Sequence, residues 1–151
     1  MVFLVWEPSF GIGGWEIDRQ HRLLIGLINQ LHEAVSGVDA GKKPQAVFAA
    51  TVDYLRNHFA FEESFLERLG YEDLAADKGS HKQLLDKLSD LRRQFDAGPV
   101  SVSPELVKLL KEWMTTHILQ CAHRYAELAA EKSQRLMETS SVAEVDCMPR
   151  T

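Results

Sequence analysis

Hydrophobic residues recur along this chain at alternating spacings of three and four, which is the period of one face of an α-helix. Glycine or proline separates four segments of this kind from one another. The segments run from Asp18 to about Val35, Pro44 to about Leu69, Leu74 to about Phe95, and Pro104 to about Met137. Helices of this length joined by short loops predict an all-α fold, an up-down-up-down four-helix bundle.

The two ends of the chain lack this period. Residues 1–17 combine glycines and a proline with large aromatic side chains, which predicts an extended N-terminal arm packed across the bundle. Residues 139–151 are mostly small or polar and predict a disordered tail. We therefore expect one domain over residues 1–138, with the arm at 1–17.

Composition narrows the function classes. The net charge of −5 argues against a nucleic-acid partner, because the sequence offers no basic patch that could bind phosphate groups. No stretch approaches the ~20 apolar residues of a membrane helix, and the apolar start, residues 1–6, is too short for a signal peptide. Two cysteines indicate no disulfide framework. We expect a cytoplasmic protein that binds neither nucleic acid nor membrane.

Polar side chains interrupt the apolar face of every predicted helix. One histidine lies on each of the four faces, Glu62 follows one of them by four residues, and Asp77 precedes another by four. Residues four apart are neighbours on a helix, so each such pair places nitrogen and oxygen side by side. Imidazole and carboxylate together suit iron, zinc or manganese. The predicted metal ligands are His21, His58, Glu62, Asp77, His81 and His117.

The motifs around these residues resemble the hemerythrin family. They are Ile17-Asp18-Arg19-Gln20-His21, His58-Phe59-x-x-Glu62-Glu63, Gly70-Tyr71, His81, and Trp113-x-x-x-His117-Ile118 followed by Tyr125. The resemblance implies an oxo- or hydroxo-bridged pair of non-haem iron ions that binds O2. It implies that His21 and His58 bind the iron that takes up O2, that His81 and His117 bind the other, and that Glu62 bridges them. It also implies that Leu24, Trp113 and Ile118 wall the O2 pocket, although such residues are equally typical of a plain core.

The chain departs from the family at two ligand positions. Asp77 stands where the family has a histidine, and Ala122 stands where it has a second bridging aspartate. Our hypothesis is that Asp77 partly replaces the lost carboxylate. Cys121 is a candidate for an additional ligand or an outer contact, although a buried apolar role is the favoured interpretation. His123 is a weaker candidate, and Glu63 is assigned to a solvated face.

Several functions remain open at this point. The first is O2 carriage, storage or sensing by a binding protein that is not an enzyme. The alternatives are a di-iron enzyme acting on peroxide, NO or O2, and a bundle that has lost reversible O2 binding and holds a single iron, manganese or zinc. The expected partner is O2, another small diatomic molecule or a peroxide. A separate signalling or redox partner is a further possibility.

Overall fold

The computed structural model consists of four α-helices joined by short loops. It describes residues 3–13, 15–38, 41–98 and 100–146, with side chains described as far as residue 131, apart from that of Trp15. The helices are α1 (Trp15–Ser36), α2 (Pro44–Arg68), α3 (Leu74–Ala97) and α4 (Pro104–Asp146), and a 3-10 turn at Pro8–Phe10 precedes them. The described residues contain no strand. The prediction of an all-α four-helix bundle is confirmed.

Local sequence signals explain where the helices begin and end. Pro44 opens the first turn of α2, where its missing N–H costs nothing. The Ser103 hydroxyl accepts a hydrogen bond from the backbone N–H of Leu106 at 3.2 Å and so caps α4. Gly70, with φ of 70°, follows α2 in the left-handed conformation, and Tyr71 N–H closes the end by donating to the Leu66 carbonyl. These signals fix the loops that return each helix across the core.

The larger of two buried apolar clusters draws aliphatic and aromatic side chains from all four helices. Leu24, Val52, Leu88 and Met114 are each no more than 2% exposed. Buried among these apolar neighbours, toward one part of the bundle, are four histidines and one glutamate: His21, His58, Glu62, His81 and His117. An apolar core that encloses five ionisable groups needs something to satisfy them.

The N-terminal arm packs on the bundle, but it is shorter and more structured than the sequence suggested. Helix α1 begins at Trp15, three residues before the predicted start at Asp18. The Asp18 carboxylate accepts a hydrogen bond from the N–H of Ile12 in the arm at 3.0 Å. Leu4 N–H and carbonyl both bond the side-chain amide of Asn29 at 2.8 Å. Phe10, in the 3-10 turn, is 2% exposed. The arm therefore closes the bundle through specific contacts.

Helix α4 continues to Asp146, beyond the boundary at residue 138. The expectation that regular structure stops there is corrected, because no glycine or proline interrupts the sequence between Pro104 and Asp146. Residues 147–151, including Cys147, lie outside the described residues. Within the described part of the chain, no helix is long and apolar enough to cross a membrane.

Candidate metal centre

Four donor groups from three helices converge in the bundle interior. Helix α1 contributes His21, α2 contributes His58 and Glu62, and α4 contributes His117. Their donor atoms all lie within 4.8 Å of one another. His117 is the most exposed of the four, at 8%, and the others are essentially inaccessible. The sequence predicted all four, and the structure brings them together.

The spacing of these atoms fits metal coordination. His58 Nε2 lies 3.2 Å from His21 Nε2 and 3.0 Å from Glu62 Oε2, and His117 Nε2 lies 3.1 Å from the same oxygen. Nitrogen and oxygen donors about 2.0–2.2 Å from a common ion are roughly 2.8–3.6 Å apart at octahedral or tetrahedral angles. The three measured separations fall in that interval.

The hydrogen bonds behind His58 set its tautomer. Gln20 donates through its amide nitrogen to Glu16 Oε1 at 2.9 Å, so its amide oxygen faces His58 and accepts from His58 Nδ1 at 2.8 Å. A neutral imidazole carries one N–H, and here Gln20 receives it. His58 Nε2 therefore presents a lone pair toward the Glu62 carboxylate. Two electron-rich atoms 3.0 Å apart fit a cation between them.

The protonation states are those that metal ligands require. Burial lowers the pKa of His21 to about 3, with help from the neighbouring His58 and His117. Burial also lowers the pKa of His58. For Glu62, burial acts to raise the pKa, but the close contacts with His117 and His58 outweigh it, so the pKa lies well below its usual value. The neutral imidazoles of His21 and His58 beside an ionised carboxylate form a donor set that binds a divalent cation.

His81 occupies the opposite side of Glu62. Its Nε2 lies 3.8 Å from Glu62 Oε1, whereas His58 and His117 face Oε2. Its Nδ1 donates to Glu63 Oε1 at 3.2 Å, which leaves Nε2 directed toward the centre. Glu63 is only 23% exposed in its side chain, so its assignment to a solvated face is wrong. Its role was missed because it depends on how α2 and α3 pack.

Asp77 lies apart from the cluster, against Arg124. Its Oδ2 forms an ion pair with the Arg124 guanidinium at 2.7 Å, and both side chains are less than 20% exposed. Burial raises the pKa of Asp77, and Arg124 opposes that rise. The structure therefore does not bring Asp77 to the other donors, and its role as a metal ligand stays a prediction. Arg124 follows His117 by seven residues, two helical turns, so its place on that face was readable in the sequence.

The two weaker candidates differ sharply. The Cys121 side chain is fully buried, with Sγ 3.4 Å from Glu62 Oε1 and 3.5 Å from His117 Nε2. His123 is 79% exposed in its side chain and pairs with Glu127 at 3.2 Å. A helix turns 600° over the six residues from His117 to His123, so the two rings leave α4 in different directions. His123 is not part of the cluster.

Large apolar side chains enclose the donors. Leu24 and Ile118 are fully buried, and the Trp113 ring stacks on His117 with centroids 4.8 Å apart. Phe59 stacks on His81 at 4.0 Å, a contact that the sequence interpretation did not identify. The residue following His58 was visible in the motif, but its partner across the α2–α3 interface was not. The Trp113 and Phe59 rings therefore each cover one face of a histidine ring, His117 and His81 respectively.

Fold and site together define a helical-bundle protein with a buried histidine–carboxylate metal centre. Residues 14–129 match the hemerythrin HHE cation binding domain family. The chain is 36% identical to a bacteriohemerythrin of Stenotrophomonas maltophilia (strain R551-3) over 127 residues, covering 84% of this chain and 82% of that protein. It is 34% identical to a bacteriohemerythrin of Pseudomonas aeruginosa (strain PAO1) over 142 residues, covering 89% and 92%.

The solved structures agree with this assignment. A hemerythrin carrying one leucine-to-alanine substitution superimposes with a TM-score of 0.77 at 27% identity, covering 85% of this chain and 98% of that one. The chain belongs to the hemerythrin family. The resemblance inferred from the motifs is confirmed, and the site is a non-haem metal centre.

Proposed function

We propose that this protein binds two iron ions at the buried centre and takes up O2 there. The observation that carries the proposal is the convergence of His21, His58, Glu62 and His117 within 4.8 Å inside a hemerythrin bundle. In this assignment His21 and His58 hold one ion, and His81 and His117 hold the other. Glu62 bridges them.

The contacts of Glu62 support a bridging role. Its Oε2 faces His58 and His117 at 3.0 and 3.1 Å, while its Oε1 faces Cys121 at 3.4 Å and His81 at 3.8 Å. Oε2 lies beside His58 and Oε1 lies beside His81, one histidine from each assigned pair, so the carboxylate is suited to two cations. In this assignment His117 turns from Oε2 toward the ion that Oε1 binds. The buried negative charge of Glu62 also lowers the energy of bringing those cations into an apolar core.

The neighbouring residues of this chain prepare the site. Gln20 and Glu63 accept the Nδ1 protons of His58 and His81, which fixes the ring orientations and leaves each Nε2 free for metal. We assign Leu24 and Ile118, which are fully buried, and the Trp113 ring, which stacks on His117, to the wall of the O2 pocket. Iron, when bound, supplies the electrons for reversible O2 binding. A small apolar enclosure favours O2 or another diatomic molecule as the ligand.

Metal analysis and visible spectroscopy test this proposal together. The protein is loaded with iron, reduced without oxygen, and its absorption is recorded before air, after air and after renewed deoxygenation. We expect two irons per chain and a visible band that air produces and deoxygenation removes. One metal per chain, or zinc in iron-grown cells, would overturn the assignment.

An enzymatic function is the second candidate, and Ala122 is the observation that favours it. Alanine offers no donor where the family has a carboxylate, and a cavity of about 70 Å³, lined in part by His81, His117 and Gln120, lies beside the centre. A space of that volume accepts a peroxide or NO. Continuous consumption of O2 or peroxide, without a lasting visible band, would favour the enzymatic function.

The cytoplasmic location and the signalling or redox partner stay predictions.

A further inference from the structure

Cys121 places a sulfur atom inside the candidate metal centre. It follows His117 by one helical turn on α4, and its side chain has no solvent exposure. Its Sγ is 3.4 Å from Glu62 Oε1 and 3.5 Å from His117 Nε2. A structural cysteine would need only apolar neighbours, whereas this one contacts two metal-binding side chains.

The two distances match those between ligands of one ion. A sulfur ligand lies about 2.3 Å from zinc, and nitrogen or oxygen ligands lie about 2.0–2.2 Å from it. At angles between octahedral and tetrahedral, such a sulfur is roughly 3.0–3.7 Å from its co-ligands. Both separations of Cys121 fall within this interval. No rearrangement of the backbone is therefore required for the sulfur to share an ion with either neighbour.

In the part of the chain that the structure describes, few other donor groups lie on the side of the centre that Cys121 faces. Ala122 provides no donor, and the Asp77 carboxylate pairs with Arg124 at 2.7 Å. Glu62 Oε1 then has His81 and Cys121 as its neighbouring donors. One turn beyond, the hydroxyl of Tyr125 is buried in the same cluster as Cys121 and has no hydrogen-bond partner among the described residues. An unsatisfied polar group is thus buried in the same cluster as the thiol.

We propose that Cys121 binds the metal as a thiolate and occupies the side of the centre from which the family's second bridging carboxylate is missing. The inference rests on the proposed metal-binding function and assigns a further ligand to it. On binding, the S–H bond breaks, the proton passes to solvent and the sulfur donates its electron pair to the ion. No electron is transferred. Thiolate is a ligand that both iron and zinc accept, so the assignment does not depend on the metal in the cell.

Cobalt(II) substitution tests the assignment without reference to activity. Cobalt bound by thiolate has an intense sulfur-to-metal charge-transfer band in the near ultraviolet, which nitrogen and oxygen ligands do not produce. The chain offers a matched control, because Cys147 is its other cysteine. We expect the band in the cobalt-loaded parent and in Cys147→Ser, and complete loss of it in Cys121→Ser.

A second measurement covers the case in which Cys121→Ser does not fold, as judged by circular dichroism. X-ray absorption of zinc-loaded Cys147→Ser should show sulfur at about 2.3 Å from zinc, at an average of about half a sulfur per ion when two ions are bound. Bound cobalt or zinc with no sulfur signal in the parent would overturn the thiolate and leave the metal centre intact. A band that survives in Cys121→Ser would overturn it equally. Failure of both metals to bind would refute the metal centre itself and the ligand with it.

Discussion

His58 and Gln20 form a direct hydrogen bond across the α1–α2 interface, with His58 Nδ1 donating to Gln20 Oε1 at 2.8 Å. Gln20 is itself 8% exposed and is held by Glu16. The consequence for the site is chemical as well as geometric. Because Nδ1 carries the proton, Nε2 faces Glu62 with a lone pair, as a metal ligand must.

Replacing Gln20 should therefore weaken metal binding although Gln20 binds no metal. We expect Gln20→Ala to lower metal affinity by about 10- to 100-fold, since loss of such an orienting partner frees the ring and the tautomer. Competitive titration against a chelator measures the affinity. Gln83→Ala, an exposed glutamine on α3, is the control and should match the parent. Equal affinities in the two variants would show that the Gln20 contact does not prepare His58.

Substitution of Glu62 is expected to cause a large loss of bound metal. Glu62 is fully buried between His58, His117 and Cys121, and both of its oxygens have neighbours. Glu62→Gln keeps the shape but removes the charge that attracts cations, so we expect metal content to fall by at least tenfold in the purified protein. Glu67→Gln, exposed on the same helix, is the control and should load fully. Elemental analysis measures the metal content of both variants, and full loading of Glu62→Gln would contradict the bridging role.

Much of this architecture could be predicted from the sequence because the relevant information is local. The three-four spacing placed four helices, and an inward-facing histidine on each of them follows from the same period. Side-chain contacts between two helices could not be predicted from this spacing. The ion pair of Asp77 with Arg124 and the bond of His81 to Glu63 depend on the rotation and separation of packed helices, which single-helix periodicity does not contain. The same gap made Glu63 look solvated.

The metal-free protein should lose stability as the pH falls from about 6.5 toward about 3. The folded-state pKa of His21 is lowered by burial from 6.5 to about 3, and burial lowers that of His58 as well. Below pH 6.5 the unfolded chain binds protons at these histidines and the folded chain does not. The contribution of the neutral histidines to the free energy of unfolding is therefore complete above pH 6.5 and is lost on acidification. Each such histidine contributes a slope of up to about 1.4 kcal/mol per pH unit.

Urea unfolding with chelator present, at several pH values between about 7 and 4, measures this slope. His21→Leu removes one buried titrating ring and should flatten the dependence, while His123→Ala, at an exposed position, should leave it unchanged. A free energy of unfolding that is constant over the interval would show that the buried histidines accept protons in the folded state.

The Asp77–Arg124 pair is expected to stabilise the fold between α3 and α4. Both side chains are less than 20% exposed, so Arg124→Gln leaves a largely buried carboxylate without its cation. We expect the free energy of unfolding to fall by about 1–3 kcal/mol. Arg93→Gln, which breaks an exposed pair with Asp90, should cost less than about 0.5 kcal/mol. Asp77→Ala addresses the ligand hypothesis separately, because undiminished loading of both ions in that variant would refute a metal-binding role for Asp77.

Removing the metal should destabilise the protein without unfolding it. Among the residues whose side chains the structure describes, seventeen buried hydrophobic ones form a core that spans the helices and does not include the metal donors, so the bundle has its own source of stability. An ion present at about 1,000 times its dissociation constant adds about 4 kcal/mol, which corresponds to roughly 10 °C in Tm for a chain of this size. Thermal unfolding followed by circular dichroism, with and without chelator, measures the difference. We expect the helical signal at low temperature to be equal in both samples and the Tm to recover when iron is returned. Loss of the helical signal on chelation would mean that the charged centre cannot be left empty inside this core, and that metal binding and folding are a single event.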